Sequence, residues 1–137
     1  MTTTDINVRT VTLAEAETRI VRAFRKFKPI FLWGAPGVGK SELAEQIANK
    51  EYLGKTLLVD LRVALFEPTD IRGMPFFNSK SGLMEWAPPI DLPSEKLAAK
   101  YDTVILFLDE MNAAPPAVQA ACYQLVLNRR VGTYTLP

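Results

Sequence analysis

The segment that most constrains this chain is the octapeptide at residues 34–41, Gly34-Ala35-Pro36-Gly37-Val38-Gly39-Lys40-Ser41. Glycines this dense do not belong inside a helix or strand, because glycine loses the most conformational freedom on being ordered. Residues 29–33 (PIFLW) before it are a short apolar run, and residues 41–52 after it carry Leu43, Ala44, Ile47 and Ala48 on one helical face. The predicted order is therefore strand, glycine-rich loop, helix. Upstream, Leu13, Ala16, Ile20, Phe24 and Phe27 recur at helical spacing with Glu15, Arg19, Arg22 and Lys26 between them, which predicts a helix over residues 12–27. Thr12 and Glu15 have capping-box spacing at its start, and Pro29 ends the pattern.

Two more apolar runs, residues 56–61 and 103–108 (TVILFL), read as buried strands covered on both faces. Between them lies a proline-rich stretch, residues 67–93, with the turn-like Asn78-Ser79-Lys80-Ser81-Gly82 at its centre. It predicts an inserted hairpin with arms at residues 74–77 and 83–87, its prolines confined to edges, followed by a short helix over residues 94–100. Pro115 and Pro116 suit a helix's first turn, so residues 116–128 read as a helix with Val118, Ala121, Cys122 and Leu125 inward. Residues 131–136 read as the opening of another extended segment. Strands alternating with helices around a glycine-rich turn place the chain in the α/β class, with a mainly parallel sheet.

The octapeptide matches the P-loop pattern of Gly, four residues, Gly-Lys and Ser or Thr, in the strand-to-helix context that the pattern requires. Glycines let successive backbone N–H groups converge on phosphates, and the following helix presents its positive end. Gly34 to Ser41 therefore form the predicted cradle for a nucleoside triphosphate, ATP with Mg²⁺. Lys40 reaches the β- and γ-phosphates, and the Ser41 hydroxyl faces the metal. Asp109 and Glu110 follow the TVILFL run, at the carboxyl end of a buried strand, where ligands bind in open α/β sheets. Asp109 is predicted to hold Mg²⁺ and Glu110 to orient or deprotonate an attacking water. An acid directly after the metal aspartate favours hydrolysis over transfer to a substrate hydroxyl.

Composition narrows the partners. Sixteen basic residues against fifteen acidic give a net charge of +1, which supplies no electrostatic case for nucleic acid or a membrane surface. With no histidine and one cysteine, Cys122, a His-ligated zinc site, a His-based triad and an internal disulfide are excluded. No apolar stretch reaches the length of a membrane span or resembles a signal-peptide core, so a soluble cytoplasmic protein is expected.

Residues 34–41 (GAPGVGKS) and 105–110 (ILFLDE) look like the Walker A and Walker B motifs of AAA+ ATPases. The stretch EPTDIRGMP at residues 67–75, Gly82-Leu83, Trp86-Ala87-Pro88-Pro89 and NAAPPAVQ at residues 112–119 resemble the MoxR-like branch. The likeness covers residues 10 to 137. It implies a P-loop three-layer α/β/α sandwich with a hairpin inserted near the second helix. The resemblance further implies that Lys40 and Ser41 bind phosphate and Mg²⁺, that Asp109 and Glu110 form the Walker B pair, and that the full-length protein, like family members that act as hexameric remodelling machines, forms a homo-oligomeric ring acting on a protein client. Residues 1–137 correspond to the N-terminal part of the AAA+ core, ending before the sensor-1 strand, the arginine finger, the lid domain and sensor 2.

Other residues favour plainer roles. Trp33, Trp86 and the phenylalanines are expected to pack a core, and Arg19, Arg22, Arg25, Lys26 and Lys28 to form a solvated helix end. Arg129 and Arg130 are expected to complement the end of the last helix. Cys122 reads as a small core residue. Arg62 is a candidate contact for Glu110, and Asp70 and Arg72 a local ion pair or partner contact. Two rival functions remain beside an ATPase: a non-hydrolysing nucleotide-binding or interaction module, and a helicase loader acting with DNA.

Overall fold

The computed structural model describes residues 10–33 and 39–137. It falls into two compact units, Met1–Leu43 and Ala44–Pro137. In the first, helix α1 spans Leu13–Arg25 with Ala16 and Ile20 buried. The Thr12 hydroxyl accepts the Glu15 backbone N–H at 3.2 Å, which is the Thr12 half of the predicted capping box. The helix stops two residues short of the predicted end because Phe27 turns left-handed, at φ 52°. The Phe27 N–H then donates to Phe24 O and the Lys28 N–H to Ala23 O, both at 3.0 Å. These two bonds form a Schellman motif that satisfies carbonyls left over at the helix end. The five basic residues at this end of α1 are exposed, as expected of a solvated end.

Residues 29–33, predicted as a strand, form no ladder among the described residues. Apolar side chains alone do not make a strand; its backbone needs a hydrogen-bonding neighbour. The aromatic residues here also depart from the core role expected of them. Trp33 is 71% exposed, with the Phe31 ring 4.9 Å away. Helix α2 covers Lys40–Ala48, beginning in the first unit and ending in the second, with Leu43 and Ile47 buried.

The second unit is built on two parallel strands, β1 (Thr56–Arg62) and, after an excursion, β4 (Thr103–Asp109), paired from Thr56↔Thr103 to Arg62↔Asp109. Their shared start is pinned: the Lys55 N–H donates to the Asp102 carboxylate at 2.7 Å, and the Thr103 hydroxyl donates to Leu53 O at 2.8 Å. The excursion holds helix α3 (Pro68–Arg72), the hairpin strands β2 (Met74–Asn78) and β3 (Leu83–Ala87), and helix α4 (Glu95–Ala98). Helix α3 is absent from the sequence reading. Pro68 opens it, and Asp70 caps it by accepting the Glu67 N–H at 2.7 Å, so Asp70 serves the backbone. At Gly73, φ is 85° and a Cβ would lie 2.0 Å from Ala87 O, so only glycine lets the hairpin close at its base.

After β4 come helix α5 (Pro116–Asn128) and a small hairpin, β5 (Arg130–Val131) with β6 (Tyr134–Thr135). The expected single extended segment folds back on itself because Gly132 takes up φ 57°. Arg129 caps α5 in the left-handed region, and its guanidinium donates to Pro137 O at 3.2 Å, so it ties the helix end to this hairpin. The core unites Val118, Ala121, Cys122 and Leu125 of α5 with Ile71, Leu92, Val131, Tyr134 and Leu61. Burial pushes the Cys122 thiol up to about 11, as befits a packed and unreactive residue. Val59, Leu106 and Leu108 also pack against this core. One face of the β1–β4 pair is therefore covered by the α5 core, and on the other Ile105 is buried with Leu58 and Phe107 half-buried. The expected cover on both faces thus holds along the start of the pair and gives way to exposed Asp60 and Arg62 near the end of β1.

Candidate functional site

Of the predicted phosphate cradle, Gly34, Ala35, Pro36, Gly37 and Val38 lie outside the described residues. Gly39 is described, and its φ of 91° is a conformation side chains resist. Its carbonyl accepts the Leu43 N–H at 2.9 Å, so Gly39 delivers the chain directly into α2. Lys40 and Ser41 are the first two residues of that helix, and both are half-buried. They occupy the turn where backbone N–H groups have no intrahelical acceptor and the helix dipole is positive, the end suited to an anion.

Asp109 closes β4 and is half-buried. The chain then kinks. Glu110 adopts φ 55° and ψ 36°, left-handed for a residue with a side chain, and its N–H donates to the Asp109 carboxylate at 2.9 Å. A non-glycine residue there costs roughly 1–2 kcal/mol. The carbonyl of Glu110 accepts from Ala113 in the short 3₁₀ turn of Met111–Ala113, which leads to α5. The kink holds the two acids next to each other at a strand's carboxyl end, with Glu110 exposed. Lys40 and Ser41 belong to one compact unit, Asp109 and Glu110 to the other.

Sequence reading missed one acid. Val59 and Leu61 face the core, so by strand alternation Asp60 and Arg62 point to the other face, which they share with Phe107 and Asp109. Asp60 is exposed at the surface, and partial desolvation of its carboxyl raises its pKa, with the neighbouring Asp109 charge raising it further, Arg62 lowering it and Glu45 raising it. The signal was present in TLLVDLR, where one acid interrupts an apolar run. Arg62, a candidate contact for Glu110, lies in register with Asp109, the residue just before it.

A carboxylate pair suits magnesium, a hard cation that keeps several waters and takes one or two carboxylates together with phosphate oxygens. Among the described residues no group of three or more His, Cys, Asp or Glu is arranged to hold a metal ion alone. A cavity of about 260 Å³ at the hairpin base is lined by Thr69, Met74, Pro88, Ile90 and others, none of them a predicted site residue. No helix among the described residues is long and apolar enough to cross a membrane.

The family model of the AAA domain, dynein-related subfamily, matches residues 29–135, which include both nucleotide motifs. The chain is 34% identical over 114 residues to a midasin of Giardia intestinalis, a match that covers 82% of this chain and 2% of that protein's length. No solved structure matches.

Proposed function

This chain belongs to the AAA domain family, dynein-related subfamily, a family of nucleotide-binding P-loop ATPases, and from that membership, together with the likeness of residues 67–75, 82–83, 86–89 and 112–119 to the MoxR-like branch, we propose that it is a MoxR-like AAA+ domain hydrolysing Mg·ATP to remodel a protein partner. Residues 1–137 would form part of its ATPase core, carrying the hairpin insert at about residues 67–93. Gly34 to Ser41 would cradle the triphosphate, with the Lys40 ammonium against the β- and γ-phosphates. The Ser41 hydroxyl and the Asp109 carboxylate would hold Mg²⁺, which would supply charge neutralisation on the phosphoryl oxygens. Glu110 orients the attacking water and accepts its proton. Assembly into a homo-oligomeric ring in the cytoplasm, with ATP as the shared ligand, completes the proposal.

One observation carries the hydrolytic part of this reading. Glu110 sits in a strained left-handed turn immediately after the metal aspartate, anchored by its N–H to that aspartate. Phe27 and Arg129 take the same conformation at ordinary helix ends, so the weight falls on the place of Glu110, exposed and directly after Asp109 at the carboxyl end of β4, where ligands bind in α/β sheets. The test pairs two variants. Lys40→Ala is expected to abolish binding of a fluorescent ATP analogue. Glu110→Gln is expected to keep that binding and lose at least about 100-fold in phosphate release, the scale of a general base. Undiminished analogue binding by the first variant would remove the cradle assignment; undiminished turnover by the second would remove Glu110 from the mechanism.

A further inference from the structure

The face of the β1–β4 pair opposite the α5 core, on which Ile105 is buried, changes character along its length. It starts apolar, with Leu58 beside Ile105, passes Asp60 beside Phe107, and ends with Arg62 beside Asp109. Asp60 and Asp109 thus stand on one face of adjacent strands, one diagonal step apart. Strands lie about 4.8 Å apart and two parallel-strand residues advance about 6.6 Å, which puts the two Cα atoms roughly 8 Å from each other. The charges around Asp60 are unbalanced: Asp109 and Glu45 add negative potential, and Arg62 offsets part of it.

We infer that Asp60 is a second acidic positioning residue for the divalent cation assigned above to Asp109, acting on that ion's water shell instead of ligating it directly. The inference rests on the nucleotide-site reading. A water bound to Mg²⁺ lies at about 2.1 Å and donates to a carboxylate oxygen about 2.7 Å further on. Two carboxylates on opposite sides of one hydrated ion can therefore be up to about 9–10 Å apart, a span that accommodates this diagonal without displacing either strand. Arg62, in register with Asp109, reduces the repulsion between the acids when the cation is away. A cation between them removes it.

The experiment uses the 137-residue chain with a non-hydrolysable ATP analogue at saturation, and Mn²⁺ as the probe, its free fraction read by electron paramagnetic resonance. Asp60→Asn is expected to weaken Mn²⁺ binding about 10-fold, as loss of outer-shell partners does. Asp60→Glu should recover most of that loss, and Asp109→Asn should weaken binding more than Asp60→Asn does. Analogue affinity in EDTA and the metal-free melting temperature should stay level in both Asp60 variants, which separates a metal role from a folding defect. Mn²⁺ affinity that is unchanged or tighter in Asp60→Asn, with Asp109→Asn impaired, overturns the inference alone. Affinity insensitive to both aspartates, or no Mn²⁺ binding by the parent chain, overturns the nucleotide-site reading itself and the inference with it. Loss of metal-free stability in both Asp60 variants, without rescue by glutamate, assigns Asp60 a structural role and also overturns the inference.

Discussion

Along α5, Val118, Cys122 and Leu125 have no exposed surface, whereas in the β2–β3 hairpin Phe77, Leu83 and Met84 are each more than 60% exposed. Both segments are rich in apolar side chains, so composition does not separate them. Periodicity does. The buried positions of α5 recur every three or four residues and fall on one stripe, which can be covered by one neighbouring layer. In the hairpin, Pro75, Phe77, Met84 and Trp86 share one face while Met74, Phe76, Leu83 and Ala87 share the other. Both faces stay largely open. The expectation that Trp86 and these phenylalanines pack a core is thereby corrected, and the hairpin draws its order from its backbone ladder and from the polar side chains at its turn. Asn78 donates to Glu85 at 3.1 Å, Ser81 donates to the same carboxylate at 3.0 Å, and the Lys80 N–H donates to the Asn78 side chain at 2.9 Å.

The contrast breaks first, and most visibly, in α5. Leu125→Ala removes a wholly buried side chain from the middle of the core cluster and leaves a cavity that neighbouring helix and strand backbones cannot fully close. A loss of about 2–5 kcal/mol in unfolding free energy is expected. Urea denaturation measures it; a change below about 1 kcal/mol would mean that this core is far looser than its burial indicates.

A second effect, smaller, tests the polar seam of the same core. The Tyr134 hydroxyl donates to Pro93 O, and burial pushes its pKa up to about 12 from an ordinary 10.0. The folded state therefore holds this proton more tightly than the unfolded chain does. Its contribution is intact below pH 10 and is lost as pH rises from 10 through about 12. Tyr134→Phe should cost about 1 kcal/mol near neutrality, since Pro93 O loses its donor, and should flatten this part of the alkaline stability profile. The difference between the profiles of the parent chain and Tyr134→Phe is the quantity to read.

Which parts were legible in the sequence follows from the same physics. Helix α5 was predicted to its observed ends, because Pro116 marks its start and the apolar stripe marks its face. The hairpin arms were legible from the Asn78-to-Gly82 turn, with only Asn78 added to the first arm. Helix α3 was not, since five residues give too short a period and its cap is visible only once Asp70 folds back on Glu67. Residues 29–33 had the composition of a strand, but composition carries no information about a ladder partner. At the site, Lys40, Ser41, Asp109 and Glu110 were named by motif alone, whereas the left-handed turn of Glu110 and the diagonal placement of Asp60 needed strand register. A register relation between residues 60 and 109 cannot be read from local spacing.

The smallest expected effect lies in the hairpin, and it sharpens the contrast by its size. Phe77→Ser replaces a ring that is 63% exposed, on a face shared with Met84, without touching the Asn78–Glu85 turn or the close approach at Gly73. Little apolar surface is withdrawn from water at this position, so the unfolding free energy should move by no more than about 0.5 kcal/mol, the range of surface substitutions. The same denaturation experiment that reports a large loss for Leu125→Ala should barely register this one. A loss near that of the core variant would mean that the Phe77 face is covered in solution, because only burial gives a phenylalanine ring that much weight.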